Sequence, residues 1–146
     1  MIVGITGNYC SGKDLACRVF EQVGFSVIDV DSVGHEALAV KNREIAEAFG
    51  KDIINNGKID RKKLSAIVFS DVKQKEVLER IVHPWMIRKV RERVRAYGNC
   101  VINAALLIEM CLFPLCDYVI AIDTEWETAV KRAVKREGLS PEEARM

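Results

Sequence analysis

Four short apolar runs, at 1–6, 25–30, 100–104 and 118–123, alternate with stretches whose apolar residues recur at helical spacing. That alternation is the pattern of an α/β fold, a parallel sheet with helices on both faces. Lys13 to Val23 reads as the first helix, ended by Gly24 as a C-cap, and the second run follows at once, as a strand-helix-strand unit requires. Asp31 to Phe49 carries helical periodicity closed by Gly50, and Asp60 caps a short helix holding Leu64, Ile67, Val68 and Phe69. A longer helix begins near Asp71, and Pro84 is expected to kink or end it before Ile87, Val90 and Val94 resume the pattern. The stretch between the second and third strands is therefore a helical insertion. No internal repeat or low-complexity segment interrupts it.

Between the first strand and the first helix stands Gly7-Asn8-Tyr9-Cys10-Ser11-Gly12-Lys13-Asp14. It matches the phosphate-loop template G-x-x-x-x-G-K-[ST] at Gly7, Gly12 and Lys13, with Asp14 where the template has a hydroxyl. Glycines let successive backbone N–H groups face one anion, and the following helix points its positive end at that anion. Lys13 would lie along the β- and γ-phosphates, and the next residue would normally place a hydroxyl on Mg²⁺. Asp14 is instead a candidate Mg²⁺ ligand through its carboxylate. It also brings negative charge toward the triphosphate, a repulsion of roughly 4 kcal/mol at ~4 Å and an effective dielectric of ~20 unless a cation offsets it.

Composition narrows the class. With 146 residues, 49% of them apolar, the chain is long enough for one compact unit that buries roughly two-thirds of its unfolded surface. Its 22 basic and 21 acidic residues nearly cancel, which argues against nucleic acid or an anionic membrane as the main partner. Cysteines 10, 17, 100, 111 and 116 are odd in number and form no C-x-x-C pair, so free thiols in a reducing compartment are expected. No run has the apolar length of a membrane span, and the N-terminus shows neither a charged leader nor a cleavage site. A cytoplasmic protein is the simplest expectation.

Sites on open parallel sheets collect at the carboxyl ends of the strands. There the second strand ends in Asp29-Val30-Asp31, two carboxylates that suit a base toward an acceptor hydroxyl and an anchor for metal-bound water. Capping of the next helix by Asp31 explains the same residue equally well. His35 lies one helical turn beyond Asp31 on the same face, and His83 precedes Pro84; each fits a site or ordinary packing. The basic stretch Arg88 to Arg95 reads as a solvated helix face, with phosphate binding as the alternative.

Together these residues resemble the dephospho-coenzyme A kinases. The resemblance rests on the loop Gly7 to Lys13, on Gly-Phe-Ser-Val-Ile-Asp-Val-Asp at 24–31 followed by His35, Glu36 and Leu38, and on Ile-Asp-Arg-Lys-Lys-Leu at 59–64 with Ile-Val-Phe-Ser at 67–70. It continues through Ile-Val-His-Pro at 81–84, Ala-Leu-Leu at 105–107 and Lys-Arg-Glu-Gly-Leu-Ser at 135–140. The resemblance implies a P-loop NTPase-like three-layer parallel sheet with a helical acceptor-binding insertion and a short Arg-bearing lid. Its divisions would be a core at 1–34 and 98–124, an acceptor-binding region at 35–97 and an incomplete lid at 125–146. The implied reaction moves the γ-phosphoryl group of ATP, with Mg²⁺, to the ribose 3′-hydroxyl of dephospho-coenzyme A. By position, Asp31 is similar to the base, Lys13 and the loop N–H groups of 7–14 to the ATP-binding groups, and Arg132 and Arg136 to lid residues that meet the moving phosphoryl group. Asp29, Asp31, His35 and His83 are the implied acceptor-binding residues.

The chain departs from that pattern in three ways. Asp14 replaces the hydroxyl. Asn103 stands at the end of the third strand, where the family usually carries an acid. The family's members also continue into further helices and a last strand, so a trimmed or shortened form is expected. One reading of the first two is that Asp14 supplies the carboxylate that Asn103 lacks, which keeps the net charge of the site unchanged. Two other function classes stay open: a nucleotide- or coenzyme A-binding homologue without turnover, favoured by Asp14 and Asn103, and another small P-loop kinase acting on a different hydroxyl.

Overall fold

The structure, a computed structural model, describes residues 1–137, with side chains as far as Lys135. In chain order the elements are β1 (Ile2–Gly7), α1 (Lys13–Gln22), β2 (Ser26–Asp29), α2 (Val30–Val40), α3 (Asn42–Phe49), β3 (Ile54–Asn55), β4 (Lys58–Ile59), α4 (Arg61–Ser70), α5 (Val72–Tyr97), β5 (Cys100–Asn103), β6 (Tyr118–Ile122) and α6 (Trp126–Glu137). They divide into two compact units, one from residues 1–29 and from 93 onward, the other Val30–Glu92.

The first unit is built on a parallel sheet of order β2-β5-β1-β6. Its four strands fall where the apolar runs predict, each within two residues at either end. Cys100, Val101 and Ile102 of β5 are fully buried, which is why that strand is apolar without alternation. Beneath α1, Val3, Ile5, Cys17 and Val101 form a core flanked by Ala16, Phe20, Phe25, Val27 and Ile122. Phe20 meets Phe25 edge to face with ring centroids 5.3 Å apart. That contact closes the turn between α1 and β2. The Phe25 N–H donates to the Phe20 carbonyl at 3.0 Å and the Gly24 N–H to the Glu21 carbonyl at 3.0 Å, the paired bonds of a Schellman cap. Gly24 takes the left-handed conformation this requires, with φ +91°. The outer strand β6 pairs only with β1 among the described residues, and Tyr118, Val119 and Ile120 are exposed on it.

The second unit is helical, around the buried side chains of Val33, Ala37, Ile45, Ile53, Leu64, Val82, Met86 and Val90. The Asp60 carboxylate accepts from the N–H groups of Lys62 and Lys63 at 3.1 and 3.2 Å, the cap that its place before an apolar run predicts.

Three features correct the sequence reading. The helix expected over 31–49 is two helices, because the backbone leaves helical geometry at Lys41, between β-branched Val40 and Asn42, both weak helix formers. The Lys41 N–H still donates to Ala37 and its carbonyl still accepts from Ile45, so the apolar period runs through the break. The Asn56-Gly57 turn, with φ of +50° and +75°, joins the antiparallel pair β3 and β4, a hairpin the pattern reading passes over. Finally, of the kink or end expected at Pro84, the end does not occur, and the helix runs through the proline. Pro84 lacks the N–H that would bond one turn back, a cost of about 3 kcal/mol, yet α5 spans 26 residues in all. Its stripe of Val82, Met86, Val90 and Val94 is buried at every fourth position, which offsets that loss. Among the described residues no helix is long and apolar enough to cross a membrane.

All five cysteines are free thiols. Burial pushes the Cys17 thiol up to about 11 from its ordinary 9.0, helped by the negative charges of Asp14, Glu21 and Asp29, and burial also raises Cys100 and Cys116. Above pH 9.0 the unfolded chain ionises Cys17 while the folded chain holds the proton to about pH 11, so this contribution is complete below the window and is lost as pH rises through it. Cys17→Ala is expected to remove about 1.4 kcal/mol per pH unit of the stability decline across that window, measured by urea unfolding at matched pH. An equally steep decline in the variant would contradict this.

Candidate active site

The loop between β1 and α1 is bent by two glycines for different reasons. At Gly7, with φ +146°, a Cβ would lie 2.1 Å from the Ile122 carbonyl oxygen and 3.0 Å from Ser11 Oγ, so no side chain fits where β1 leaves the sheet beside β6. Gly12, with φ +111°, precedes α1 in the left-handed region, and its carbonyl accepts from the N–H groups of Leu15 and Ala16. Cys10 also has a positive φ, +56°, a conformation that is uncommon outside glycine. The Ser11 N–H donates to the Asn8 carbonyl at 3.2 Å and closes the turn.

Two cations hold this loop by its carbonyls. Lys13 Nζ folds back and donates to the Gly7 and Asn8 oxygens at 2.8 and 2.9 Å. Arg132 Nη1, from α6, donates to the Cys10 and Ser11 oxygens at 3.2 and 3.1 Å. The loop leads into the N-terminus of α1, where the helix dipole favours negative charge. The side chain of Arg136, expected beside Arg132, lies outside the described residues.

Asp14 sits in the first turn of α1, where the helix dipole favours a carboxylate. Its Oδ1 accepts from Asn103 Nδ2 at 3.3 Å. Asn103 ends β5, with Ile5 of β1 and Asp29 of β2 as its register neighbours. Among the described residues, two buried polar atoms here, Ser11 Oγ and Asn103 Oδ1, have no hydrogen-bond partner. The Thr6 hydroxyl donates to the Ala105 carbonyl at 3.1 Å and fixes the chain that leaves β5.

The first unit thus brings together Gly7 through Asp14, Asp29, Asn103 and Arg132. The other predicted residues belong to the helical unit. Asp31 and His35 are exposed one turn apart on α2, with Asp31 in its first turn, and His83 is half-buried on α5. On the basic stretch of α5, Arg88, Arg91 and Arg95 are exposed and Lys89 pairs with Glu92 at 3.3 Å, as a solvated face does. Two contacts escape sequence reasoning, Arg132 on the loop carbonyls and Asn103 on Asp14. They join residues 121 or 122 and 89 positions apart, and no local spacing signals them.

The profile of the dephospho-CoA kinase family matches residues 1–146. The chain is 37% identical to the dephospho-CoA kinase of Borreliella burgdorferi over 126 residues, covering 84% of this chain and 62% of that protein. It is 38% identical to that of Geobacter sulfurreducens over 152 aligned positions, covering 98% and 77%. Among solved structures, one from Thermus thermophilus superposes with a TM-score of 0.85 at 30% identity, covering 99% of this chain and 76% of the other. The dephospho-CoA kinase from Campylobacter jejuni gives a TM-score of 0.72 at 27% identity, covering 98% and 76%. The chain therefore spans about three-fifths to three-quarters of the length of these relatives. Its fold is that of the P-loop NTPases, and the chain belongs to the dephospho-CoA kinase family.

Proposed function

We propose that this chain carries the chemistry of a dephospho-CoA kinase, transfer of the γ-phosphoryl group of ATP to the ribose 3′-hydroxyl of dephospho-CoA. The observation that carries the reading is the loop itself, a phosphate cradle with Lys13 and Arg132 both resting on its carbonyls, in a chain that matches the family along its length.

In the reaction a bond forms between the acceptor 3′-oxygen and the γ-phosphorus, and the bond from that phosphorus to the β,γ-bridging oxygen breaks. The hydroxyl proton passes to a base, the role assigned to Asp31. The β- and γ-phosphates are assigned to loop N–H groups other than that of Ser11, which closes the turn, and to the α1 dipole. Lys13 exchanges its two loop carbonyls for phosphate oxygens, a short movement for a flexible ammonium. Arg132 and Arg136 supply positive charge as the phosphoryl group moves, and Asp29, His35 and His83 are assigned to the acceptor.

Asp14 and the unpartnered Asn103 Oδ1 suit a hard cation, so they are the groups assigned to hold Mg²⁺. Bound there, Mg²⁺ would neutralise charge on the phosphates. Five free thiols suit a cytoplasmic setting, where they stay reduced.

The test is ADP formation from ATP and Mg²⁺ with and without dephospho-CoA, with the product identified by mass. Acceptor-stimulated turnover to coenzyme A is expected. Acceptor binding without turnover reassigns the chain to a binding role, and turnover on another hydroxyl reassigns the substrate. Asp31→Asn is expected to lower kcat by about 10²-fold or more with little change in the KM for ATP. Arg132→Ala is expected to cost about 10³-fold in kcat; a variant within threefold of the parent would remove Arg132 from the mechanism.

A further inference from the structure

We propose that Asp14 and Asn103 are an exchanged pair of cation ligands, in which the carboxylate has moved from the strand end to the loop and the neutral oxygen from the loop to the strand end. The proposal rests on the nucleotide-binding reading of the loop and deepens it. In P-loop NTPases generally, the residue after the lysine lends Mg²⁺ a neutral hydroxyl, and an Asp elsewhere supplies the negative charge. Here the loop position is Asp14 and the strand-end group that touches it is Asn103, 89 residues away in sequence.

Two observations at the Asn103 amide point to a ligand there. The first is the contact: Asn103 Nδ2 donates to Asp14 Oδ1 at 3.3 Å, long for a bond to a carboxylate. The second is the atom left over. Asn103 is only 9% exposed, its amide nitrogen is engaged, and its Oδ1 is buried with no donor. A buried amide oxygen without a partner is unfavourable in the folded state, and a hard cation satisfies it. Asp29 stands beside Asn103 as its register partner on β2. The Cys17 thiol, one turn after Asp14, is raised chiefly by burial and further by the charges of Asp14, Glu21 and Asp29, so Asp14 and Asp29 both act on this turn of α1. Among the described residues no three His, Cys, Asp or Glu side chains gather into a protein cage. A Mg²⁺ that takes one or two protein oxygens and completes its shell from phosphates and water needs none.

The exchange keeps the charge of the site and changes its position. A negative charge on the loop repels metal-free ATP, and the cation removes that repulsion. ATP binding by this chain should therefore depend on a divalent cation more steeply than binding by a loop with a hydroxyl at that position.

Calorimetry of ATP binding in Mg²⁺ and in EDTA, with Mn²⁺ titrations followed by electron paramagnetic resonance, tests this. The unsubstituted chain is expected to bind ATP at least about tenfold more tightly with Mg²⁺ than in EDTA. Asp14→Ser should shrink that ratio severalfold and weaken Mn²⁺ binding. Asn103→Asp added to Asp14→Ser should restore Mn²⁺ binding and recover part of the ratio, while Asn103→Asp alone should tighten Mn²⁺ and weaken metal-free ATP. Asp14→Asn, which keeps the shape, serves where the serine variant does not fold. A ratio unchanged by either Asp14 variant, a double variant no closer to the parent than Asp14→Ser, or no cation-dependent ATP binding by the parent overturns the exchange. These are equilibrium readouts. A chain that shows the linkage without phosphorylating an acceptor keeps the exchange and loses the kinase reading, and turnover with no linkage does the reverse.

Discussion

The approach of β1 to β6 at Gly7 is the constraint on which the rest of the site depends. The Ile122 carbonyl lies where a Cβ on residue 7 would be, so the chain can leave β1 beside β6 only as glycine. Everything after it inherits that direction. The turn from Asn8 to Ser11, the left-handed Gly12 and the start of α1 follow within six residues of β1. α1 then packs through Ala16, Cys17 and Phe20 onto the sheet that sent it out. A helix anchored on its own sheet holds its N-terminus still, which is what an electrostatic site needs, since a dipole that reorients loses its advantage over water.

The loop is also held by two cations on its carbonyls. Lys13 and Arg132 together engage four loop carbonyls, of residues 7, 8, 10 and 11. The two cations differ in what release requires. Lys13 is a point charge on a flexible stem anchored in the loop itself, so it can trade carbonyls for phosphate by rotating. Arg132 reaches across from α6 with a single nitrogen on two carbonyls, and a planar guanidinium holding neighbouring groups resists piecemeal exchange. Arg132 thus also ties α6 to the loop.

The sheet was legible in the sequence because its strands are apolar runs, Ile2 to Ile5, Val27 to Ile28, Val101 to Ile102 and Val119 to Ile122; burial of the whole strand explains the run in β5, whereas β6 is apolar although Tyr118, Val119 and Ile120 are exposed. The phosphate loop was legible because glycine is required at Gly7 and Gly12 by geometry that no other residue meets. Where sequence reasoning went wrong, a local rule met a tertiary fact. Pro84 is a helix breaker by propensity, yet the buried stripe of α5 carries the helix past it. At Lys41 the hydrogen bonds run on while the dihedrals do not, so periodicity cannot see the joint. The Asn56-Gly57 hairpin had a signal, but strands of two residues leave no alternation to read. For the site, Asp14 and Asn103 were visible as oddities, whereas their contact was not, because it depends on where β5 ends relative to α1.

That contact also explains how an acid is tolerated at the mouth of a phosphate site. Asp14 is stabilised where it stands by the positive end of α1 and by the Asn103 amide, and both influences would be weaker for an acid placed on β5, away from the helix terminus. A neutral group at Asn103 in turn suits a strand end that is 9% exposed, where an ionised carboxylate would carry a larger desolvation cost. Each residue therefore stands where its own charge state is cheaper to hold. On the proposed reading, the single cost of the arrangement would be repulsion toward metal-free nucleotide, which a bound cation would remove.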